Sequence, residues 1–299
     1  MNRVAQQPTK AFATALAAVA LLSIMDAVMK HLVLVIGIIA VSIWRSFANF
    51  VISAILYLPR EKRRPDRKTL RIHVWRGVLV TVMAFLFFWG IGRVPLAQAI
   101  ALTFIAPLIS LVLAAAFLGE HIGRRSIGGS VAAFAGVVVI VLGQARAELG
   151  TDVLLGSAAI IGSALCYAGN IVMMRRQALA ARPLEINFFQ SATVMALWII
   201  AMAVVGLPAS PGWEWPWVIV AALLSTSGTL LYGWAYARGE ASYLAVTEYS
   251  AFLWASALGW IIFSERVSIY TLAGALLIVG GCLIAVRRKA VPPEIEVAA

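Results

Sequence analysis

The chain reads as an all-α integral membrane protein of ten transmembrane helices, arranged as two inverted five-helix repeats. Three observations lead there. Of 299 residues, 62% are hydrophobic and only 12% are charged, with a mean hydropathy of +0.93, whereas roughly a quarter of a soluble domain is charged. Ten apolar segments of membrane length follow one another through short connections. The second half repeats the first at a fixed offset of 145 residues. Five is odd, so the second copy enters the bilayer upside down, which creates a pseudo-two-fold axis in the membrane plane and a site between the halves.

The spans are expected near residues 11–32, 36–58, 71–92, 95–118 and 126–145, then 153–174, 185–206, 215–237, 241–263 and 268–287. Each approaches the length that crosses about 30 Å of hydrocarbon, about 20 apolar residues in a helix, because every backbone N–H and C=O must be satisfied within the segment. Arg3 and Lys10 precede the first run, which ends without a small-residue cleavage site and reads as a span, not a removed signal peptide. Pro59 and Pro65 follow the second span, Pro95 opens the fourth, Pro183 precedes the seventh, and Pro208, Pro211 and Gly212 precede the eighth. The only sizeable polar stretch is the basic loop 60–71, so no soluble domain is accommodated. The organisation is a cytoplasmic tail at 1–10, a first repeat at 11–145, an external linker at 146–152, a second repeat at 153–287 and a cytoplasmic tail at 288–299.

The repeat is visible without gaps. The offset places Trp89 on Trp234, Arg93 on Arg238, Ala106 on Ala251, Leu108 on Leu253, Glu120 on Glu265, Gly129 on Gly274 and Gly136 on Gly281. Further upstream, Ser46 falls on Ser191 and Lys30 on Arg175. The Trp, Arg, Glu and Gly matches carry the weight, since Leu and Ala coincide easily in so apolar a chain.

A net charge of +11 would suggest nucleic acid for a soluble protein, but its distribution here reads as topology. With the N-terminus in the cytoplasm, 18 Lys and Arg collect on that side against 4 outside, the latter being Lys30, Arg93, Arg146 and Arg266; Arg45 and Arg76 lie inside spans. This positive-inside bias puts both termini in the cytoplasm of a multi-pass protein of the cell membrane and independently supports an even span number. Arg93 and Arg238 then sit on opposite sides, as inversion requires. Cys166 and Cys282 lie within spans as small packing residues, with no disulfide framework. Trp213, Trp215 and Trp217 at the start of span eight, and Trp75 near the start of span three, fit an interfacial aromatic belt.

The stretch from span four through span five, PLAQAIALTFIAPLISLVLAAAFLGEHIGRRSIGGSVAAFAGVVVIVLG, contains Pro95, Pro107, Glu120, Gly129 and Gly136, and its second copy is YLAVTEYSAFLWASALGWIIFSERVSIYTLAGALLIVGGCLIAV. In these residues the chain resembles the drug/metabolite transporter superfamily, in its ten-helix EamA-type branch, with repeats near 12–145 and 154–287. It departs from many relatives in LLSIMDAVMKHL, where a Trp-rich start to span one is usual, and in Phe252 where the first copy has Pro107. The resemblance implies a basket with a central cavity lined by spans one, three, four, six, eight and nine, with spans five and ten peripheral. It further implies a bacterial membrane protein that exports amino acids or other small metabolites. Ala132 with Gly136, and Ala273, Gly274, Gly280 and Gly281, favour close backbone packing of spans five and ten; such a face packs the chain itself or joins two protomers, so monomer and homodimer both stay open.

Ionisable residues inside spans cost about 2.5–3.5 kcal/mol each at a helix centre unless paired or hydrated. Asp26 and Arg45 share the outer half of the bilayer, and Arg76 and Glu248 the inner half. Two stacked polar pairs are therefore expected, Asp26 with Arg45 or Lys30 outside and Arg76 with Glu248 inside, acting in gating or solute contact; simple satisfaction of buried charge is the competing reading. Glu120 and Glu265 end spans four and nine, beside the positive N-terminal ends of spans five and ten, where capping is expected.

Near the midplane of the cavity spans stand Ser23, Phe87, Phe88, Phe104, Tyr167, Asn170, Thr226, Thr229 and Tyr249, a mixture able to hold an amphipathic solute. Phe104 and Tyr249 occupy equivalent positions in the two repeats. His31, His73 and His121 fall at span ends or loops, so no metal site is expected, and no phosphate loop of the form G-x-x-x-x-G-K-[ST] is present. No convergent catalytic set is evident, so no enzyme and no cofactor are expected. The partners are a small-molecule solute and membrane lipid, with no nucleic acid. These readings favour secondary, ATP-independent export of neutral or aromatic amino acids by alternating access; export of a nucleoside-like molecule, a sugar or a drug, and a channel or lipid flippase, are the alternatives.

Overall fold

A computed structural model of the chain describes residues 8–59, 65–106, 109, 124–146, 150–178, 181–236, 238, 247–248 and 250–286. Ten α-helices lie among the described residues: α1 (Pro8–Ile36), α2 (Ile38–Tyr57), α3 (Arg67–Ile91), α4 (Leu96–Thr103), α5 (Arg124–Arg146), α6 (Thr151–Ala178), α7 (Pro183–Val205), α8 (Trp215–Tyr236), α9 (Ser250–Phe263) and α10 (Ile269–Val286). Six of them, α1, α2, α3, α6, α7 and α8, contain segments long and apolar enough to cross a membrane, and shorter apolar segments lie in α5, α9 and α10.

Local chemistry sets the boundaries. The turn between α1 and α2 is a single residue, Gly37, at a φ of 81°, a left-handed conformation that costs glycine little because it has no Cβ. Asp66 caps α3 by accepting the Thr69 N–H at 3.0 Å, and Pro183 starts α7 where no N–H is needed. The fourth span is expected as one helix over 95–118. Residues 107–108 and 110–118 of it lie outside the described ones, and the described α4 tightens at its end, with the Phe104 N–H on the Ala101 carbonyl at 3.3 Å and the Ile105 N–H on the Leu102 carbonyl at 3.5 Å. Pro107 has no N–H to offer the Thr103 carbonyl, which accounts for the tightening.

The helix pairings obey the repeat. Helix α1 packs on α8 as its counterpart α6 packs on α3, and α2 on α8 as α7 on α3. The pairs α2 with α7, α4 with α9 and α5 with α10 each join a helix to its own counterpart. Small residues make the repeated crossings. A Cβ on Gly90 of α3 would meet Ile160 Cγ1 of α6 at 2.5 Å and the Gly156 carbonyl oxygen at 2.8 Å. At the positions 145 residues away, Ala235 of α8 is fully buried against Ala11 and Ala15 of α1. Between α5 and α10, a Cβ on Gly136 would stand 2.6 Å from the Gly274 carbonyl oxygen, so these small residues are used within the chain, as close packing in lipid favours.

The apparent surface is apolar to a degree that water would not tolerate: Val204 is 88% exposed, Ile200 67%, Leu276 66% and Phe134 63%. Large contiguous faces of this kind belong against hydrocarbon. The core residues Met29, Leu32, Phe88, Ile91, Leu96, Leu102, Ile160 and Val218 lie inside the bundle, drawn from both halves.

Candidate functional site

One local bracket appears once per half. The Arg93 guanidinium lies 3.6 Å from the Trp89 ring centroid and donates to the Trp89 carbonyl at 3.0 Å. The Arg238 guanidinium lies 4.3 Å from the Trp234 ring centroid and donates to the Trp234 carbonyl at 3.4 Å. The register read from the sequence therefore recurs as geometry.

The polar groups collect in three layers, named outer, middle and inner for the orientation expected from the charge distribution. In the outer layer, Lys30 of α1 is buried and forms an ion pair with Glu265, which follows α9. Its ammonium also donates to the Val94 carbonyl at 2.6 Å and sits 5.2 Å from the Phe263 ring centroid. The second Glu265 oxygen accepts the Leu96 N–H at 2.8 Å. One carboxylate thus joins α1, the α3–α4 turn and the α9–α10 turn. Beside it His31 lies 3.1 Å from Glu214, tying α1 to the entry of α8.

Two expectations change here. Lys30 engages Glu265, not Asp26, because Val94 and Glu265 present two acceptors where α1 meets the helix turns. Glu265 caps α4, not α10, whose N-terminus is served by Ser268 accepting the Thr271 N–H at 3.0 Å.

In the middle layer, the Arg45 guanidinium of α2 lies over Phe88 of α3, 4.9 Å from the ring centroid. Its Nε is buried with no hydrogen-bond partner. Asp26, on α1, is the carboxylate expected to pair with Arg45. The two nonetheless stand farther apart than ion-pair contact among the described residues. Ser23, Phe88 and Phe104 are buried nearby in the bundle, and Phe87 packs on Phe88 with ring centroids 5.4 Å apart. Thr226 donates to Asn49 at 3.5 Å, whereas Thr229 is exposed and donates to the Ser225 carbonyl of its own helix at 2.7 Å. Tyr249 and Glu120 lie outside the described residues.

In the inner layer, Arg76 of α3 donates from Nε to the Asn170 carbonyl oxygen at 2.8 Å and from Nη1 to Gln177, both on α6. Gln177 bonds His73, whose other nitrogen lies 3.2 Å from Glu185 of α7 and whose ring stacks on Phe189 with centroids 5.2 Å apart. Tyr167 lies on α6, the helix that also supplies Asn170 and Gln177. Glu248 accepts from the Tyr232 hydroxyl at 2.9 Å. The expected Arg76–Glu248 pair is not made in this conformation: the amides of α6 face Arg76 where α3 and α6 cross, and a tyrosine serves the carboxylate. Asn170, expected to face solute, has its carbonyl committed to Arg76.

Sequence reasoning missed this network and set His73 aside as a span-end residue, although it is fully buried. The repeat register makes the network more telling. Shifted by 145 residues, His73, Arg76, Asn170 and Gln177 fall on Val218, Ala221, Met25 and Leu32, all buried in the apolar core.

A cavity of about 450 Å³ opens beside the outer ion pair, lined by Pro95, Gln98, Glu265 and Tyr270 among others. None of the nine expected solute residues is among its lining residues.

Comparison with known proteins places the chain. The model of the EamA-like transporter family matches twice, over residues 9–142 and 154–287. A pseudopaline exporter of Pseudomonas aeruginosa is 28% identical over 72% of this chain and 74% of its own length. A riboflavin transporter of Brucella anthropi is 25% identical over 81% of this chain and 87% of its own length. A probable terminal-alkyne amino-acid exporter of Streptantibioticus cattleyicolor is 34% identical over 42% of this chain and 43% of its own length. A crystal structure at 20% identity superposes with a TM-score of 0.64 over 93% of this chain and 98% of that one, a likeness of fold. The chain is a multi-pass membrane transporter of small solutes, not an enzyme, and it belongs to the EamA-like transporter family.

Proposed function

We propose that the protein is a secondary exporter of neutral or aromatic amino acids that works by alternating access, with both termini in the cytoplasm. The observation that carries this reading is the middle layer, where the Arg45 guanidinium lies over Phe88 with a buried Nε that finds no acceptor among the described residues. Polar groups left open inside a bundle suit a solute with a charge at each end and an apolar body. The outer layer supports the cycle: Lys30 and Glu265 bind three segments together and close the external mouth, and their rupture admits the exterior. Of the relatives, one is named an exporter of pseudopaline and another a probable exporter of an amino acid, which favours outward movement of amino-acid-like molecules.

A second reading rests on the riboflavin transporter, which matches a larger share of this chain and would make the solute a flat aromatic metabolite. The two separate in proteoliposomes given radiolabelled amino acids, riboflavin, nucleosides and sugars. Saturable, competable movement of phenylalanine or leucine is expected. Movement of another class with none of the amino acids would overturn the reading.

A further inference from the structure

Among the described residues, the middle layer contains the one buried side-chain polar atom without a hydrogen-bond partner, Nε of Arg45. A guanidinium offers five N–H donors in one plane, and that of Arg45 lies over Phe88 with its carbon 4.9 Å from the ring centroid. No acceptor among the described residues reaches its buried Nε. Asp26, on the neighbouring helix α1, receives no hydrogen bond and makes no ion pair among the described residues. Lys30, one turn further along α1, is not available to Asp26 because it is held by Glu265 and Val94. Two opposite charges on adjacent helices, neither of them in an ion pair and one with a buried orphan donor, form an incomplete arrangement. A buried donor left unpaired is costly, and a ligand oxygen that reaches it gains correspondingly.

Taking the amino-acid reading above as its premise, we infer that Arg45 and Asp26 are the two ends of a zwitterion reader. Arg45 receives the solute carboxylate through Nε and one Nη in the bidentate geometry that a guanidinium edge presents, and Asp26 receives the ammonium. Phe88 holds the guanidinium plane by stacking, so the fork is preset before the solute arrives. The side chain of the solute then projects toward Phe87 and Phe104, where apolar and aromatic bodies find contact. A solute lacking either charged end leaves one member of the pair unanswered. The site therefore selects for free α-amino acids over amines, amides and acylated forms, independently of side chain.

The test measures binding of four probes to purified protein in detergent micelles: L-phenylalanine, phenethylamine, hydrocinnamate and N-acetyl-L-phenylalanine. Wild type is expected to bind phenylalanine best. Arg45→Gln should weaken phenylalanine by about 10- to 100-fold, the range of a lost charge-assisted contact, and leave phenethylamine unchanged. Asp26→Asn should weaken phenylalanine similarly and leave hydrocinnamate and N-acetylphenylalanine unchanged. A purely structural pair would not sort ligands by charge, and the double variant, Arg45→Gln with Asp26→Asn, would then recover both thermal stability and phenylalanine binding. Recovery of that kind, or single variants that weaken all four probes alike, overturns the reader while leaving amino-acid export intact. Should wild type bind no amino acid yet transport another solute class, the premise falls and the reader falls with it.

Discussion

Substitution of Glu265 by glutamine should open the external face. The Lys30 side chain is 5% exposed and that of Glu265 19%, so the pair is largely desolvated. Removing one charge of such a pair costs about 3–5 kcal/mol. Part of that is recovered here, because glutamine keeps an oxygen for the Leu96 N–H and Lys30 keeps the Val94 carbonyl. Taking about half as the net loss to the closed state, 1.5–2.5 kcal/mol shifts the equilibrium about 10- to 70-fold toward opening. The chain has two cysteines, Cys166 and Cys282, and replacing both with alanine gives a silent background. Ser23 lies seven residues before Lys30 on α1, about 10 Å deeper at the helical rise. A cysteine there should react with an external, membrane-impermeant maleimide at least ten times faster in Glu265→Gln than in its parent. The reversed pair, Lys30→Glu with Glu265→Lys, should not restore closure, because it sets a carboxylate against the Val94 carbonyl and an ammonium against the Leu96 N–H. Labelling that stays at the parental rate in a monodisperse Glu265→Gln protein, or full closure by the reversed pair, would refute the reasoning.

Glu120→Gln, altering the residue that the repeat places on Glu265, should slow external labelling of the same Ser23→Cys reporter if the two mouths open reciprocally. Gly136→Val should lower thermal stability in detergent by about 2 kcal/mol or more, since even a Cβ would lie 2.6 Å from the Gly274 carbonyl oxygen; Gly128→Ala, which meets nothing within 4 Å, is the control. Converting the inner network to its repeat equivalents, His73→Val, Arg76→Ala, Asn170→Met and Gln177→Leu, should leave the protein folded but cut turnover in proteoliposomes at least tenfold. Unchanged turnover would make the network dispensable to the cycle.

The membrane class, the helix order and the repeat were legible in hydropathy and in the Trp89–Arg93 and Trp234–Arg238 coincidences, because composition and register are properties of the chain itself. Azimuth was not. Hydropathy places Arg76 and Glu248 at one depth but does not say which neighbour each helix face meets, so the amides of α6 were passed over. The i, i+4 spacing offers Lys30 as one of two candidate partners for Asp26, whereas the acid that Lys30 meets lies 235 residues away in the other half. One signal was present: Lys30 aligns with Arg175 and Glu265 with Glu120, so each half carries a base and an acid in register. The tightening at the end of α4 was readable from Pro107 alone, yet a proline inside an apolar run is often absorbed within a span.

Inverted halves with identical contacts would open inward and outward at equal cost, and a pump of solute in one direction gains from unequal costs. The frame here is symmetric, since the α3–α6 and α1–α8 crossings repeat the same small-residue packing. The polar groups are not. At the outer end of the α1–α8 crossing, Met25, Leu32, Val218 and Ala221 meet as apolar core, and separating them exposes surface at about 25 cal/mol per Å². At the inner end of the α3–α6 crossing the same positions hold His73, Arg76, Asn170 and Gln177 joined by hydrogen bonds, which water replaces at a net cost of only about 1 kcal/mol each. The Lys30–Glu265 tie adds further to the outer side. With the termini in the cytoplasm as proposed, the cheaper opening is inward, and the empty carrier is expected to rest with its chamber offered to the cytoplasm. That is where an exporter must load, and binding energy from the solute at Arg45 and Asp26 is then available to drive the costlier outward step.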